Sequence, residues 1–452
     1  MRLLLCLILA IRTGVYCLIV APVIDLGYSQ YQGVRLNAGV DEYLGMRYAA
    51  APLNDLRFRA PKDPVENGTV QDAFYIVFVN FNYRVGALGF LASREVEEDG
   101  DLNVGLLDQR KALLWVKKHI NKFGGNPEHV VIHGDSSGAG SIAHHMAAYG
   151  GQDDGLFMGA VYESPFWPTL RTVSEMEFQF NRFLKDTGCS GASSNMSCLR
   201  LLDIATIQTA NVATPFPGGS SDLPPLWYFL PVIDGKTVKV PLLVGDDTDE
   251  GSIFAYNGSR RHDLSRFFKA NYPNLHFNSL EKIHRAYPCT SQLPKHGEYF
   301  SSISAAYGDA TFTCPGIKIA SSMADHFLPN NIWNYRYNVQ APRLISEGLG
   351  VPHIFELSAI FGVGFAGSSE SSSYGSLNAA IVPVVMHYWI SFVKILNPNH
   401  FKYHEAPYWE PWGSGDGRRL RLQTNSTEME LIPQGLSQNC SMWRTLSKEM
   451  DV

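Results

Sequence analysis

A buried strand that runs directly into a glycine-flanked serine and then a helix leaves few folds open. The chain carries one at Val130–Ser141, V-V-I-H-G-D-S-S-G-A-G-S. Val130, Val131 and Ile132 read as the end of a buried strand, and a helix-compatible run continues from Ala143 to Ala148. In that context G-x-S-x-G forces its central residue into a strained turn at the top of a sheet. The flanking positions must be nearly free of side chain, and Gly134 and Gly138 meet that need. Ser136 is therefore the candidate nucleophile. The pentapeptide alone is weak, because a plain strand-to-helix loop can carry it, so its partners decide.

Upstream, Phe74–Asn80 is a continuous apolar run that suits a strand buried on both faces. Asp108 to Phe123 has helical period, with Leu107, Ala112, Leu113, Val116 and Ile120 on one face, and Gly124-Gly125-Asn126-Pro127 stops it. Strand, helix and the Val130 strand predict a βαβ unit of a parallel sheet, where reactive groups gather at the carboxyl ends of strands. Farther on, the short apolar strand Pro241–Val244 leads into Gly245-Asp246-Asp247-Thr248-Asp249-Glu250-Gly251-Ser252. Its acids read as a solvated turn, as oxygen ligands for calcium, or as the source of an orienting carboxylate; the spacing is not that of an EF-hand. His353 follows Gly350-Val351-Pro352 and precedes an apolar segment. Ser136, Glu250 and His353 fall in the chain order nucleophile, acid, base. His133 points off the strand end and His144 and His145 lie a turn or more beyond Ser136, so these three read as structural.

With 452 residues, 45% of them hydrophobic, the chain can bury a sizeable core. A net charge of −6 without a basic cluster gives nucleic acid no footprint. The amino end is Met-Arg followed by apolar runs too short to span a bilayer. It reads as a secretory signal, residues 1–21, with a mis-assigned start as the rival. Residues 22–452 are then expected to form a single domain. Sequons at Asn67, Asn195, Asn257, Asn425 and Asn439 favour a secreted, extracellular glycoprotein. Cys189 and Cys198 bracket a Gly/Ser/Asn-rich loop and read as a short disulfide. Cys289 and Cys314 can form a second, which leaves Cys440 single. The pair His400 and His404 reads as surface; no metal site and no cofactor are expected.

Several blocks, in order, resemble the type-B carboxylesterases, the group of the cholinesterases and the fungal secreted lipases and esterases. They include L-G-M-R-Y-A-A-A-P at Leu44, N-Y-R-V-G-A-L-G-F-L at Asn82, N-V-G-L-L-D-Q-R-K-A-L-L-W-V at Asn103, F-G-G-N-P at Phe123 and G-D-S-S-G-A-G-S at Gly134. P-V-I-D-G at Pro231, V-G-D-D-T-D-E-G-S at Val244 and G-V-P-H-I-F-E-L at Gly350 continue the match. The resemblance implies an α/β-hydrolase fold, with a mostly parallel central sheet flanked by helices. It implies a serine esterase or lipase acting on a small-molecule or lipid ester, with Ser136 as nucleophile, Glu250 as carboxylate, His353 as general base and the Ser137 N–H as an oxyanion donor. The Cys189–Cys198 loop looks like the family's short second disulfide.

The chain departs from the pattern between Ala73 and Phe74. There the family carries a segment with two cysteines, a strand and a glycine loop that supplies further oxyanion donors. A smaller shortening falls around residues 235–240. Either coding segments were dropped from an ordinary esterase, or the chain is a degenerate paralogue. Three functions follow: an active ester hydrolase, a catalytically impaired truncated homologue, or a cholinesterase-like adhesion or binding protein. A missing strand predicts an exposed sheet edge, and Arg57 is expected to lack an acidic partner. Phe166, Trp167 and Trp227 are read as core aromatics, with a substrate pocket as the alternative.

Overall fold

The computed structural model describes residues 20–36, 40–64, 76–148, 151, 153–216, 221–232, 240–289, 292–326, 329–365, 373–414 and 417–452. The expected signal peptide (but for its last two residues), Asn67, the 73/74 junction and most of the 235–240 shortening lie outside them. The chain divides into two compact units, the first made of Met1–Ala51, Pro61–Phe81 and Lys111–Pro127, the second of Pro52–Ala60, Asn82–Arg110 and Glu128–Val452.

The first unit holds an antiparallel sheet of β1 (Val20–Asp25), β2 (Gln30–Arg35) and β3 (Asp41–Glu42). Its core is aromatic: Trp115 Nε1 donates to Tyr28 Oη at 2.8 Å, and Phe123 packs on Tyr43 and Trp115. Trp115 belongs to helix α1 (Val104–His119), which starts four residues earlier than its apolar period suggests. A 3-10 turn extends it to Phe123. There Gly124, at φ 76°, closes the end by donating its N–H to the carbonyls of Asn121 and Ile120.

Ile76–Asn80, the described part of the Phe74–Asn80 run, do not form the expected strand. They lie in no strand, and Ile76 and Phe78 are exposed. A strand needs a neighbouring strand for its N–H and C=O groups, and an apolar composition does not by itself supply one. The expected βαβ unit across α1 is therefore absent among the described residues.

The second unit is built on a six-stranded sheet in the order β4 (Val131–Asp135), β5 (Gly159–Glu163), β6 (Leu242–Asp247), β7 (Ile332–Tyr337), β8 (Arg418–Leu422), β9 (Glu428–Leu431). β4 to β8 run parallel and β9 returns antiparallel. Every residue of β5 and β6 is buried, as expected of parallel strands covered on both faces. One core joins β5–β8 to α6 (Ile381–Ile395) through Trp333, Tyr335, Trp389 and Trp409. A second gathers Leu264, Phe268, Tyr307, Phe312 and Trp443. The outer edge of β4 pairs with no strand among the described residues.

Cys189 and Cys198 are bonded, as the sequence suggests. The second bridge is Cys314–Cys440, and Cys289 is a free thiol, which corrects the Cys289–Cys314 pairing. Cys314 opens α4 (Cys314–His326) and faces α7 (Gln434–Met450), which carries Cys440, whereas Cys289 Sγ turns to Glu298. Among the described residues Arg57 forms no ion pair with a carboxylate. Its buried guanidinium instead donates to the carbonyls of Leu199 and Leu202 at 3.2 and 2.8 Å.

Candidate active site

Ser136 stands between β4 and helix α2 (Ser137–Ala147) with φ 55° and ψ −118°, a conformation L-residues avoid. Three backbone bonds hold it there. Its N–H donates to Glu163 O at 2.9 Å, and its carbonyl accepts from Gly140 N at 3.0 Å and Phe166 N at 3.3 Å. Gly134 is required, since a Cβ there would run into the backbone of Gly138. Gly138 is not: a Cβ on it would meet nothing within 4 Å. The need for two bare flanks therefore holds at one position, and the other faces open space. Ser137, whose N–H begins α2, is exposed to solvent.

The acid loop is solvated only in part: Thr248 and Asp249 are exposed, whereas Asp246, Asp247 and Glu250 are buried. Asp246 and Asp247 are the buried end of β6, and the acids that follow stitch down the histidine loop residue by alternate residue. Asp249 accepts the N–H of Val351 at 2.8 Å, Glu250 Oε2 meets His353 Nδ1 at 2.5 Å, and Asp247 accepts the N–H of Phe355 at 3.1 Å. Glu250 Oε1 accepts from Asp247 N at 2.7 Å, which leaves its other oxygen aimed at the imidazole. Among the described residues no group of three or more His, Cys, Asp or Glu side chains could hold a metal ion.

His353 is buried, and its Nε2 has no hydrogen-bond partner, so no bond to Ser136 Oγ is formed. Two rings fix the imidazole: Phe254 lies 5.0 Å away edge-on and Phe312 4.5 Å away. Phe312 comes from a π-helical turn, Asp309–Thr313, between α3 (Phe300–Gly308) and α4. Phe312 also touches Phe166, whose N–H binds the Ser136 carbonyl, so one aromatic relay joins nucleophile and histidine loops. Phe166 is core, packed on Trp227, which is 38% exposed; Trp167 stacks on His144.

Beneath the turn lies a set of buried acids that sequence spacing did not signal as a group. Glu356 accepts from Tyr335 Oη at 3.0 Å. Burial pushes the Glu356 carboxyl up to about 7, raises Asp247 well above the usual range, and does the same to Asp135. His133, expected to be bland, meets Glu163 Oε1 at 2.7 Å, and Trp389 Nε1 donates to the same oxygen at 2.6 Å. His144 and His145 are indeed structural, held down to about 4 and about 3 by burial, and His145 binds Gln109 Oε1. His400 and His404 are exposed.

The fold and this arrangement at the carboxyl ends of β4 and β6 define an α/β-hydrolase, and comparison with known proteins agrees. Aspergillus niger EstA, in its crystal structure, is 52% identical and superposes with a TM-score of 0.90 over 95% of this chain and 99% of its own. The carboxylesterase family model matches residues 65–443, and the chain belongs to that family. Secreted lipase 1 of Botryotinia fuckeliana is 31% identical over 75% of this chain and 62% of its own length. Cholinesterase of Mus musculus is 28% identical over 82% and 64%. Secreted lipase 4 of Gibberella zeae is 26% identical over 81% and 68%. The chain spans about two thirds of the length of these curated relatives.

Proposed function

We propose that the chain is a secreted, glycosylated ester hydrolase working through Ser136, Glu250 and His353 by an acyl-enzyme route. The observation that carries the reading is the 2.5 Å bond between Glu250 Oε2 and His353 Nδ1. That bond fixes the tautomer and leaves Nε2, buried and unpartnered, to take the Ser136 Oγ proton. Oγ then attacks the ester carbonyl, and the imidazolium returns the proton to the departing alcohol. Water, deprotonated by the same nitrogen, releases the acid and restores the serine. Catalytic hydrogen bonds are often open until substrate binds, so the missing Oγ–Nε2 contact fits a resting site. The secreted lipases among its relatives point to a lipid or small carboxylic ester as substrate.

A second reading, an impaired homologue, is favoured by the ground around Ser137. Ser137, whose N–H is the oxyanion donor the resemblance implies, is an exposed residue, and a Cβ on its neighbour Gly138 would meet nothing within 4 Å. Losing one preorganised donor costs on the order of a hundredfold in rate or more. Labelling by a fluorophosphonate and hydrolysis of p-nitrophenyl butyrate separate the two. Labelling at Ser136 with turnover supports the enzyme, and labelling without turnover supports the impaired form. Hydrolysis that survives Ser136→Ala removes the triad from consideration.

A further inference from the structure

Glu163 touches the nucleophile turn twice. Its carbonyl accepts the Ser136 N–H at 2.9 Å, and its side chain holds His133, three residues earlier, at 2.7 Å. A single residue of β5 therefore spans the turn that sets the direction of Ser136 Oγ. Glu163 is fully buried, and its Oε1 takes both His133 Nε2 and Trp389 Nε1, while Oε2 has no partner. A carboxylate in such a place is expensive to bury unless a cation stands beside it. Burial works against a charge on His133, but Glu163 beside it raises its pKa, so His133 is the group placed to be that cation. The groups around it are Glu163 on β5 and Glu356 ahead of α5 (Leu357–Phe361), and the ring of Phe361, on α5, stacks on its imidazole at 5.5 Å.

The same pair reaches the base. Trp389 packs edge-on against Tyr335 at 5.2 Å, and the Tyr335 hydroxyl binds Glu356, three residues beyond His353. We propose that His133 and Glu163 form an ion pair that positions Ser136 against the histidine loop, making both of them positioning residues for acylation. Neither touches the reacting atoms. The proposal rests on the serine-esterase reading above and adds two residues to it.

Two substitutions at His133 separate direction from bulk. His133→Phe keeps an aromatic ring to stack on Phe361 but removes the donor to Glu163; His133→Gln keeps a donor at that place. In p-nitrophenyl butyrate hydrolysis, His133→Phe is expected to lower kcat by about a hundredfold with KM little changed, the scale of a nucleophile set about an ångström astray. His133→Gln should recover about tenfold of that loss. A His133→Phe chain within threefold of the parent kcat overturns the proposal, as does an equal loss in both variants that tracks a fall in Tm. If the parent chain neither turns over nor labels, the esterase reading fails. The pair is then judged by amide NMR: the Ser136 resonance should move in Glu163→Gln and His133→Phe, and a resonance unmoved in both overturns it.

Discussion

Replacing Cys314 and Cys440 together by alanine should destabilise the chain far more than replacing Cys189 and Cys198. The two bridges close loops of very different size, with sequence separations of 126 and 9. In the chain-entropy account, a loop of the first size restrains the unfolded chain by about 5 kcal/mol and one of the second by about 2.5 kcal/mol. Cys189 and Cys314 are both buried, so the packing lost with each sulfur is similar and does not reverse the order. The difference of roughly 2.5 kcal/mol is well above the error of a urea titration. Urea midpoints of the parent and both double variants, followed by tryptophan fluorescence, provide the measurement, with peptide mapping under non-reducing conditions to confirm that Cys289 is the free thiol. Equal midpoints, or a lower midpoint for the Cys189/Cys198 variant, would refute the reasoning. A Cys289–Cys314 peptide in the map would refute the pairing itself.

The two glycines of the turn should part company. Gly134→Ala drives a Cβ into the Gly138 backbone and should cost about 1–3 kcal/mol, whereas Gly138→Ala, in the first turn of α2 with nothing near, should raise stability by up to about 1 kcal/mol, both read as Tm shifts. Stability should fall between pH 6.5 and 8. Burial raises Asp246 and Glu356 to about 7 and Asp309 to about 6, so the folded chain holds protons that the unfolded chain, with acids near 4, has already released. The depressed His144 and His145 work the other way as unfolded imidazoles, near 6.5, lose their protons, and a urea midpoint that is higher at pH 8 than at pH 6.5 would count against the acids being the larger group. Expressed through a secretory pathway, the chain should carry a glycan at Asn425, exposed in the β8–β9 turn at φ 59°. It should carry none at Asn195, whose Nδ2 already donates to both Glu95 oxygens; endoglycosidase treatment and peptide mass reveal which.

Local signals made the elbow readable. The strand–turn–helix at Ser136 is written in contiguous residues, as is the stop of α1 at Gly124, and motif order was enough to join Glu250 and His353. Contacts that depend on where distant segments meet left no such trace. Asp247 and Asp249 look like any acidic turn until β6 carries them against residues 351–355. Cys314 and Cys440 are brought together by two helices far apart in sequence, so elimination among neighbouring cysteines paired the wrong two. His133 and Glu163 gave no pattern, because their meeting follows from the pairing of β4 with β5. Phe74–Asn80 failed for the opposite reason: its composition is that of a buried strand, but composition cannot supply the neighbour a strand needs.

A parallel sheet is most resistant to opening at its middle and least at its margins, where each strand is hydrogen-bonded on one side alone. Among the described residues, one margin is the strand that delivers the nucleophile. Reactivity at Ser136 is therefore tied to the free energy of a local opening rather than to that of the whole molecule. The amides of β4 should exchange with solvent well before those of β6 and β7, and conditions too mild to unfold the protein should already disarm its serine.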